Sequence, residues 1–498
     1  MTQRISSAAL VVLLCAIPAC AGPVEQPGDD RPNVLWVIWD TVRADHMSVY
    51  GYGKPTTPKL NQWAATARVY EHCASTAGQT LPSTASMFTG LFPAEHGTNP
   101  AWSRLEDRFP TIAELFRDGG YRTYLFSANA YLSSEHNFHR GFQVEEHPWD
   151  EQYKEEALRI VRTKLEPEAY AARLNRVRSG EPRKGDLKSA GALAKVGLEQ
   201  WLRGSESEKP FFTVLNYMEA HRPYIPSKKY RERMLSEEQV PASYGIHMQP
   251  WDYSFGLFEH SAEEIELING VYDAALAELD DRFAELLAGL ESSGHLENTI
   301  VVLTSDHGEH LGDHHRLEHQ FSLYEGLIHV PLIVRYPSKF AAGRDSQPVS
   351  GLDLFPTLLE LAGIDVPESS KGISLLSPTD DRLRLAEYPV AHASVDNAAR
   401  RHPDWDSSPW RRLLRAIYRG PMKLIVADDG HKELYRFTED PLESKDLIES
   451  EPETAARMSE HLRTFVSSLD RWNPEGPPPE VSPEQFERLK ALGYVGID

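Results

Sequence analysis

The sequence predicts an α/β fold with a mostly parallel sheet and helices on both faces, and three observations carry that prediction. Five apolar runs end abruptly in polar residues: NVLWVIWD (33–40), RTYLFSAN (122–129), FFTVLNYMEAH (211–221), TIVVLTSDHGE (299–309) and VPLIVRYP (330–337). Near-continuous apolar runs of this length read as strands buried on both faces. Amphipathic segments lie between them, for instance PKLNQWAATARVYEH (58–72), TIAELFRDGG (111–120) and VYDAALAELDDRFAELLAGLESSG (271–294). Alternation of strand and helix is the pattern of a parallel sheet. Finally, acidic and histidine residues stand where the apolar runs stop: Asp40, Glu219 with His221, and Asp306 with His307. Open α/β sheets hold their ligands at those carboxyl ends.

In chain order, MTQRISSAALVVLLCAIPAC comes first, with Arg4 ahead of an apolar run too short to span a bilayer. It reads as an export signal. Its ending, IPAC, resembles a lipoprotein signal in which Cys20 becomes the lipidated residue; a plain signal peptide is the alternative. Residues 21–31 follow as a flexible tether. The expected location is the cell envelope, periplasm or outer membrane, with membrane attachment through a lipid anchor at Cys20. Cys15 and Cys20 both fall in the leader, so Cys73 has no intrachain disulfide partner and should pack as a small apolar residue.

Residues 32–365 are expected to form the catalytic domain. Within it, residues 150–205 are rich in Lys, Arg and Glu and read as a solvated helical insertion without chemistry of its own. After LFPTLLELAGI the pattern changes: LLRAIYRGPMKLIVADDGHKELYRFTED (413–440) alternates like short antiparallel strands with Asp-Gly as a turn signal. Residues 366–498 are therefore expected as a smaller α+β subdomain and tail. The formal net charge of −22 argues against nucleic acid as a substrate, since a phosphate backbone needs a basic surface.

Asp40, Asp306 and His307 offer hard oxygens and a borderline nitrogen, and with a hydroxyl from Thr80 they would complete a site for one divalent metal ion. Thr80 opens TLPSTASMFTG. A Thr ahead of Leu-Pro-Ser suits a helix N-cap, with Pro82 in the first turn. A helix N-terminus is also a seat for an anionic ester, where a divalent cation lowers the pKa of a hydroxyl and makes it a nucleophile. Glu219, His319 and Arg43 make up the expected substrate-binding set, with a structural ion pair as the alternative for Arg43. For His221 the alternative to a catalytic role is a buried, satisfied histidine. His96 is expected to orient the loop after the Thr80 helix, Asp353 to cap a helix, and one or two of His310, His314 and His315 to touch substrate.

Taken in order, the segments NVLWVIWDTVRADHMSVYGY, TTPKLNQWAA, TLPSTASMFTGLFPAEHGT, MEAHRPY, LTSDHGEHLGDH, SLYEGLIHVPLIVRYP, DLFPTLLELAGI and ELYRFTEDPLESKDL resemble the sulfatases of the alkaline phosphatase superfamily over about residues 32–445. The resemblance implies an alkaline-phosphatase-like three-layer sandwich, Asp40, Asp306 and His307 as metal ligands, and Thr80 at the nucleophile position. It implies that His221 binds the ester oxygens or protonates the leaving group.

The departures from that family pattern carry the chemistry. Thr80-Leu81-Pro82-Ser83-Thr84 stands in place of the Cys/Ser-x-Pro-x-Arg frame, so neither the formylglycine precursor nor the Arg is present. Thr41 replaces the second acid of the opening pair, His307 stands where Asn is usual, and His319 and Gln320 occupy the stretch of the substrate Lys. A hydrated formylglycine sheds sulfate by elimination, and a sulfated Thr has no such exit. A phosphorylated Thr is released by a second in-line attack on phosphorus. The residues thus resemble the phosphodiesterase and phosphoglycerol or phosphoethanolamine transferase side of the superfamily, which uses Thr with Zn²⁺ or Mn²⁺. His in place of Asn also suits Mn²⁺ or Zn²⁺ better than Ca²⁺. The expected protein is a metal-dependent hydrolase of sulfuric or phosphoric esters, acting on a small-molecule, glycan or lipid-head-group substrate. An envelope phospho-group transferase and a catalytically silent binding protein are the alternatives.

Overall fold

Fourteen strands and their connecting helices are seen in the computed structural model, which describes residues 30–164, 184–204, 209–377, 379, 382–389 and 393–472. The leader with Cys20, most of the tether and the closing SPEQFERLKALGYVGID lie outside the described residues. In chain order the strands are β1 (Asn33–Trp39), β2 (Arg68–Ala74), β3 (Arg122–Ser127), β4 (Val144–Glu146), β5 (Phe211–Tyr217), β6 (Thr299–Thr304), β7 (His310–Leu311), β8 (Leu317–Glu318), β9 (His329–Arg335), β10 (Gly343–Ser350), β11 (Arg384–Tyr388), β12 (Leu414–Arg419), β13 (Met422–Ala427) and β14 (Lys432–Tyr435). Eight of them form the central sheet in the order β10-β2-β9-β6-β1-β5-β3-β4. Only β9 runs against its neighbours, β2 and β6; the other pairings are parallel.

Side chains of a strand alternate between faces, and β1 feeds two apolar layers. Leu35, Val37 and Trp39 pack with the helix Ala262–Ser292, and Val34, Trp36 and Ile38 pack with helices Thr80–Thr89, Ile112–Asp118 and Leu354–Leu361. Register then sets the site. Ile38 lies opposite Thr304 of β6 and Asn216 of β5, so Asp40 and Asp306 emerge level at the same sheet edge.

The segment read as one amphipathic helix, residues 58–72, divides. Only Pro58–Ala64 is helical, and Arg68–Ala74 is strand β2. Val69 and Tyr70 favour a pleated environment, and pairing to β9 and β10 on both sides overrides helical periodicity. The polar strand β10 was not anticipated either. It is an edge strand with a register break near Pro348, where hydrophobic patterning is weak.

The charged segment 150–205 also differs from a solvated face. Its described parts are helices Lys154–Lys164, Lys184–Leu187 and Leu193–Leu202, and Ala157, Val161 and Leu198 join the core. Lys164 is buried and pairs with Glu278 at 2.7 Å. Among the described residues no helix is long and apolar enough to cross a membrane.

The C-terminal alternation does form an antiparallel sheet, β11-β12-β13-β14, covered by helix Pro452–Ser467. Asp428-Asp429-Gly430 turns β13 into β14. Lys423 of β13 is fully buried, its Nζ 2.8 Å from Glu325 and 2.8 Å from Glu443. Glu325 opens the short helix that leads into β9 and also accepts Tyr418 Oη at 2.6 Å. The second sheet is thus tied to the first through one buried cation. Lys423→Met would leave two carboxylates facing each other without it. The expected cost is about 3–5 kcal/mol, read as a lower urea midpoint at unchanged slope.

Candidate active site

Each chemical group stands where a strand ends. Asp40 follows β1, and its Oδ2 accepts from Asn129 Nδ2 at 2.8 Å and Asn216 Nδ2 at 3.3 Å. Its Oδ1 is buried with no hydrogen-bond partner. Asp306 follows β6. Its Oδ1 accepts the backbone N–H of His307 at 2.9 Å and of Thr41 at 3.2 Å, and its Oδ2 has no hydrogen-bond partner. The His307 ring donates Nδ1–H to Gly308 O at 2.9 Å, which leaves the Nε2 lone pair turned inward. One ligand atom from each of the three residues lies within 4.8 Å of the others.

Burial pushes the carboxyls of Asp40 and Asp306 up to about 7, with Asp306 adding repulsion at Asp40. Burial likewise holds the His307 imidazole down at about 4. Two orphaned carboxylate oxygens and a neutral imidazole converging in a dry site are a donor set that fits one divalent cation.

Thr80 is not the helix N-cap. Gln79 is the N-cap of helix Thr80–Thr89, with no side-chain cap bond, and Thr80 is the first helical residue. The hydroxyl is not a cap; it lies 3.2 Å from His307 Nε2. Ser83, one turn on, donates to Asp306 O at 2.5 Å, as does Ser75. These bonds lock the helix against the loop that bears the ligands. The helix stops at Gly90, whose φ of 71° is left-handed and whose Cβ would meet Phe355 at 2.6 Å. His96 ties the helix to the following loop: Thr98 N–H donates to its Nδ1 at 3.1 Å, and Nε2 lies 3.1 Å from Ser86 Oγ. Asp353 accepts the Ser350 N–H at 2.8 Å as half of a capping box.

Thr41 carries backbone strain at the site. Its φ of 60° is rare for a β-branched residue and costs about 1–3 kcal/mol. Its hydroxyl turns back to Asp40 O at 2.7 Å. What the residue offers Asp306 is its backbone N–H.

Two histidines complete the cluster. The His319 ring lies 4.7 Å from that of His307 and 5.1 Å from that of His221. Glu309, fully buried, holds His319 Nδ1 at 3.0 Å. Lys188, also buried, reaches His221 Nδ1 at 2.9 Å. A cavity of about 580 Å³ lined in part by Arg222, His247, Trp251, Asn397 and Arg401 includes the residue next to His221.

Two residues of the expected substrate-binding set are engaged elsewhere. The Arg43 guanidinium is buried between Asp45 and Asp313, with ion-pair distances of 2.8 and 2.6 Å, and also donates to Glu309 O. Both faces of its fork are taken. Glu219 accepts the Gly191 N–H at 3.0 Å and shares its field with Lys164 and Glu278, on the helical layer rather than beside the cation site. His310 is held between Asp313 and Ser322, at 2.7 and 2.6 Å, and His314 stacks on Tyr324.

Asn129, Asn216, Glu309 and Lys188 were missed as site residues by sequence reasoning. Asn129 ends a predicted strand and could have been found there, whereas Asn216 lies inside one. Nothing local marked Lys188.

The Thr80 hydroxyl thus stands beside three residues that could hold a metal ion, at the carboxyl edge of the central sheet. The chain belongs to the sulfatase family, whose profile matches residues 32–364. A second profile, N-sulphoglucosamine sulphohydrolase, C-terminal, matches residues 312–469. Arylsulfatase K of Bos taurus is 27% identical, over 89% of this chain and 83% of its own. The N-acetylglucosamine-6-O-sulfatase of Bacteroides thetaiotaomicron is 23% identical, over 96% and 93%. Among solved structures, a phosphonate monoester hydrolase of Agrobacterium radiobacter superposes with a TM-score of 0.67 at 20% identity, covering 88% of this chain and 96% of that one, which shows the shared fold. The protein is thus a member of a family of ester hydrolases.

Proposed function

We propose that the protein hydrolyses a phosphoric ester, a diester before a monoester, with Thr80 as nucleophile. The observation that supports this most is a threonine hydroxyl freed from capping and set 3.2 Å from His307 Nε2, in a frame without the formylglycine precursor. Asp40, Asp306, His307 and the Thr80 hydroxyl would hold one divalent ion, Mn²⁺ or Zn²⁺ in preference to Ca²⁺. Such an ion would polarise the ester and lower the pKa of the neighbouring hydroxyl.

Thr80 Oγ attacks phosphorus as the bond to the leaving oxygen breaks, and the proton given up by the Thr80 hydroxyl ends on that oxygen, which departs as the alcohol. Water then attacks the phosphothreonine, the Oγ–P bond breaks, and the hydroxyl is restored. A sulfated Thr80 would lack a comparable exit, which favours phosphorus over sulfur. His221 contacts the ester oxygens, and His319, where the family carries Lys, lies close enough to bind the same anion. The Arg- and Trp-lined cavity suits the rest of an anionic glycan or lipid head group. An exported chain held at the envelope through Cys20 would meet substrates of that kind.

The test is turnover of matched nitrophenyl esters, sulfate, phosphate monoester and phosphate diester, after loading with Mn²⁺, Zn²⁺ or Ca²⁺. The expected order puts the diester first, with Mn²⁺ or Zn²⁺ ahead of Ca²⁺. Sulfate turnover above both phosphate esters would overturn the phosphoester reading. No turnover together with no retained metal would leave a silent binding protein.

A further inference from the structure

We propose that Lys188 fixes the tautomer of His221, so that this histidine works as a neutral Nε2–H hydrogen-bond donor to an ester oxygen and not as the acid that protonates the leaving group. The inference rests on the reading of His221 as a substrate contact, and it chooses between the two roles left open there.

The geometry is a buried cation against one ring nitrogen. Lys188 Nζ lies 2.9 Å from His221 Nδ1 and 3.2 Å from His221 O, and it also donates to Arg222 O. Both side chains are 1% exposed. An ammonium has three donors and no lone pair. Two backbone carbonyls and one imidazole nitrogen around it therefore satisfy a charged lysine. In that arrangement Nδ1 must accept, and the single proton of a neutral ring sits on Nε2.

A competing tautomer exists on the same atoms. Nδ1 is 2.7 Å from Arg222 O, so an Nδ1–H could donate there. That hydrogen would face the Lys188 ammonium, which itself donates to the same carbonyl. With a proton on Nδ1 there is no lone pair for the ammonium 2.9 Å away, and two N–H groups face each other across that distance while the lysine is charged. The pair favours the lone pair on Nδ1.

The surroundings also oppose a second proton on the ring. Lys188, His319 and His307 are among the titratable and charged groups that face it, with Glu309 and the Arg222 side chain near His319 and Glu318 against Arg222. Burial and the adjacent ammonium both hold the imidazole well below its usual range. A ring that stays neutral can donate a hydrogen bond from Nε2 throughout the reaction; it carries no spare proton to give away. Lys188 is in this sense a positioning residue. It comes from the charged segment that precedes β5, and it acts on substrate only through His221.

The experiment pairs amide isosteres with a double-mutant cycle, using bis(nitrophenyl) phosphate turnover by the Zn²⁺-loaded protein. Glutamine can offer an N–H near the Nε2 position but cannot transfer a proton. His221→Gln should retain kcat to within roughly tenfold, whereas His221→Ala should lose roughly a hundredfold or more. Lys188→Met should lower kcat roughly a hundredfold in the native background and far less in the His221→Gln background, because the amide needs no tautomer partner. In ¹⁵N-histidine spectra of the Zn²⁺-loaded protein, the native His221 should show a protonated Nε2 and a bare Nδ1. In Lys188→Met the proton should move to Nδ1.

Equal losses in His221→Gln and His221→Ala would overturn the donor role. A Lys188→Met effect that is the same in both backgrounds, or a native spectrum with Nδ1 protonated, would overturn the tautomer lock. If His221→Ala keeps full turnover, the substrate contact itself fails, and the spectra still decide whether Lys188 sets the tautomer.

Discussion

Thr80→Ala is expected to lower ester turnover by roughly four to six orders of magnitude, the range typical of deleting a covalent nucleophile. The variant should still load with metal when the ion is in excess, because two carboxylates and an imidazole remain after one of the four ligands is lost. The fold should hold as well: the Thr80 hydroxyl caps nothing, so its loss removes contacts to His307 and Asp306 and no helix-terminal bond. Thr80→Ser keeps a hydroxyl on a more mobile side chain and should retain measurable activity, since the β-methyl restricts χ1 and the serine lacks it. Rapid-quench trapping followed by mass analysis of the peptide carrying residue 80 should find a phosphoryl group there in the native protein and none in Thr80→Ala. Turnover that survives in Thr80→Ala with the metal in place would assign the attack to water instead.

The second large effect is a link between the cation, pH and stability. Without a cation, Asp40 and Asp306 keep their protons up to about pH 7, whereas in the unfolded chain they lose them near 3.8. Across that window the native state binds more protons than the unfolded state. Its stability is therefore full below the unfolded value and is lost as pH rises through the folded value. The slope is about 1.4 kcal/mol per pH unit for each carboxyl that the native state holds protonated.

Protein treated with a chelator should accordingly melt at a lower temperature near pH 8 than near pH 5. Added Mn²⁺ should raise the midpoint more at the higher pH, by about 2.7 kcal/mol of stability at a hundredfold excess over its Kd. Asp306→Asn removes one of the two charges, so it should flatten the pH slope of the chelated protein and weaken Mn²⁺ binding. Differential scanning calorimetry with and without chelator, set beside metal titrations at both pH values, reads both effects. A chelated protein whose midpoint rises with pH would contradict the assignment of these two carboxyls to a shared dry site.

Much of the cluster was legible before any coordinate. An acid or histidine that ends an apolar run has few places to go except the edge of a buried sheet, and the cluster of Asp40, Asp306 and His307 follows from two such endings. Strand β2 was not legible. Its residues fit a helix as well as a strand by local pattern, and only pairing to β9 and β10 decides between them. From the chain alone Arg43 reads as a salt-bridge partner or a substrate clamp, and Glu219 as a substrate ligand. Asp313 and Asp45 claim the first, while the Gly191 N–H binds the second and Lys164 lies within its field. Those partners are mostly distant in sequence, and no spacing rule reaches them.

What the sequence alone determined was the layered α/β architecture, the family, a threonine in the frame where the family carries the formylglycine precursor, and the three candidate ligands, two Asp and one His, at the strand ends. These are properties of local hydrophobic pattern and of residue identity, and both are written in the chain. What only the tertiary structure decided was which charges meet. Lys188 lies 33 residues from His221 in a stretch that reads as solvated surface, and Lys423 lies 98 from Glu325. A buried charge must find an opposite charge or a lone pair. Which partner it finds is set by how elements pack, and packing is settled only when the whole chain has folded.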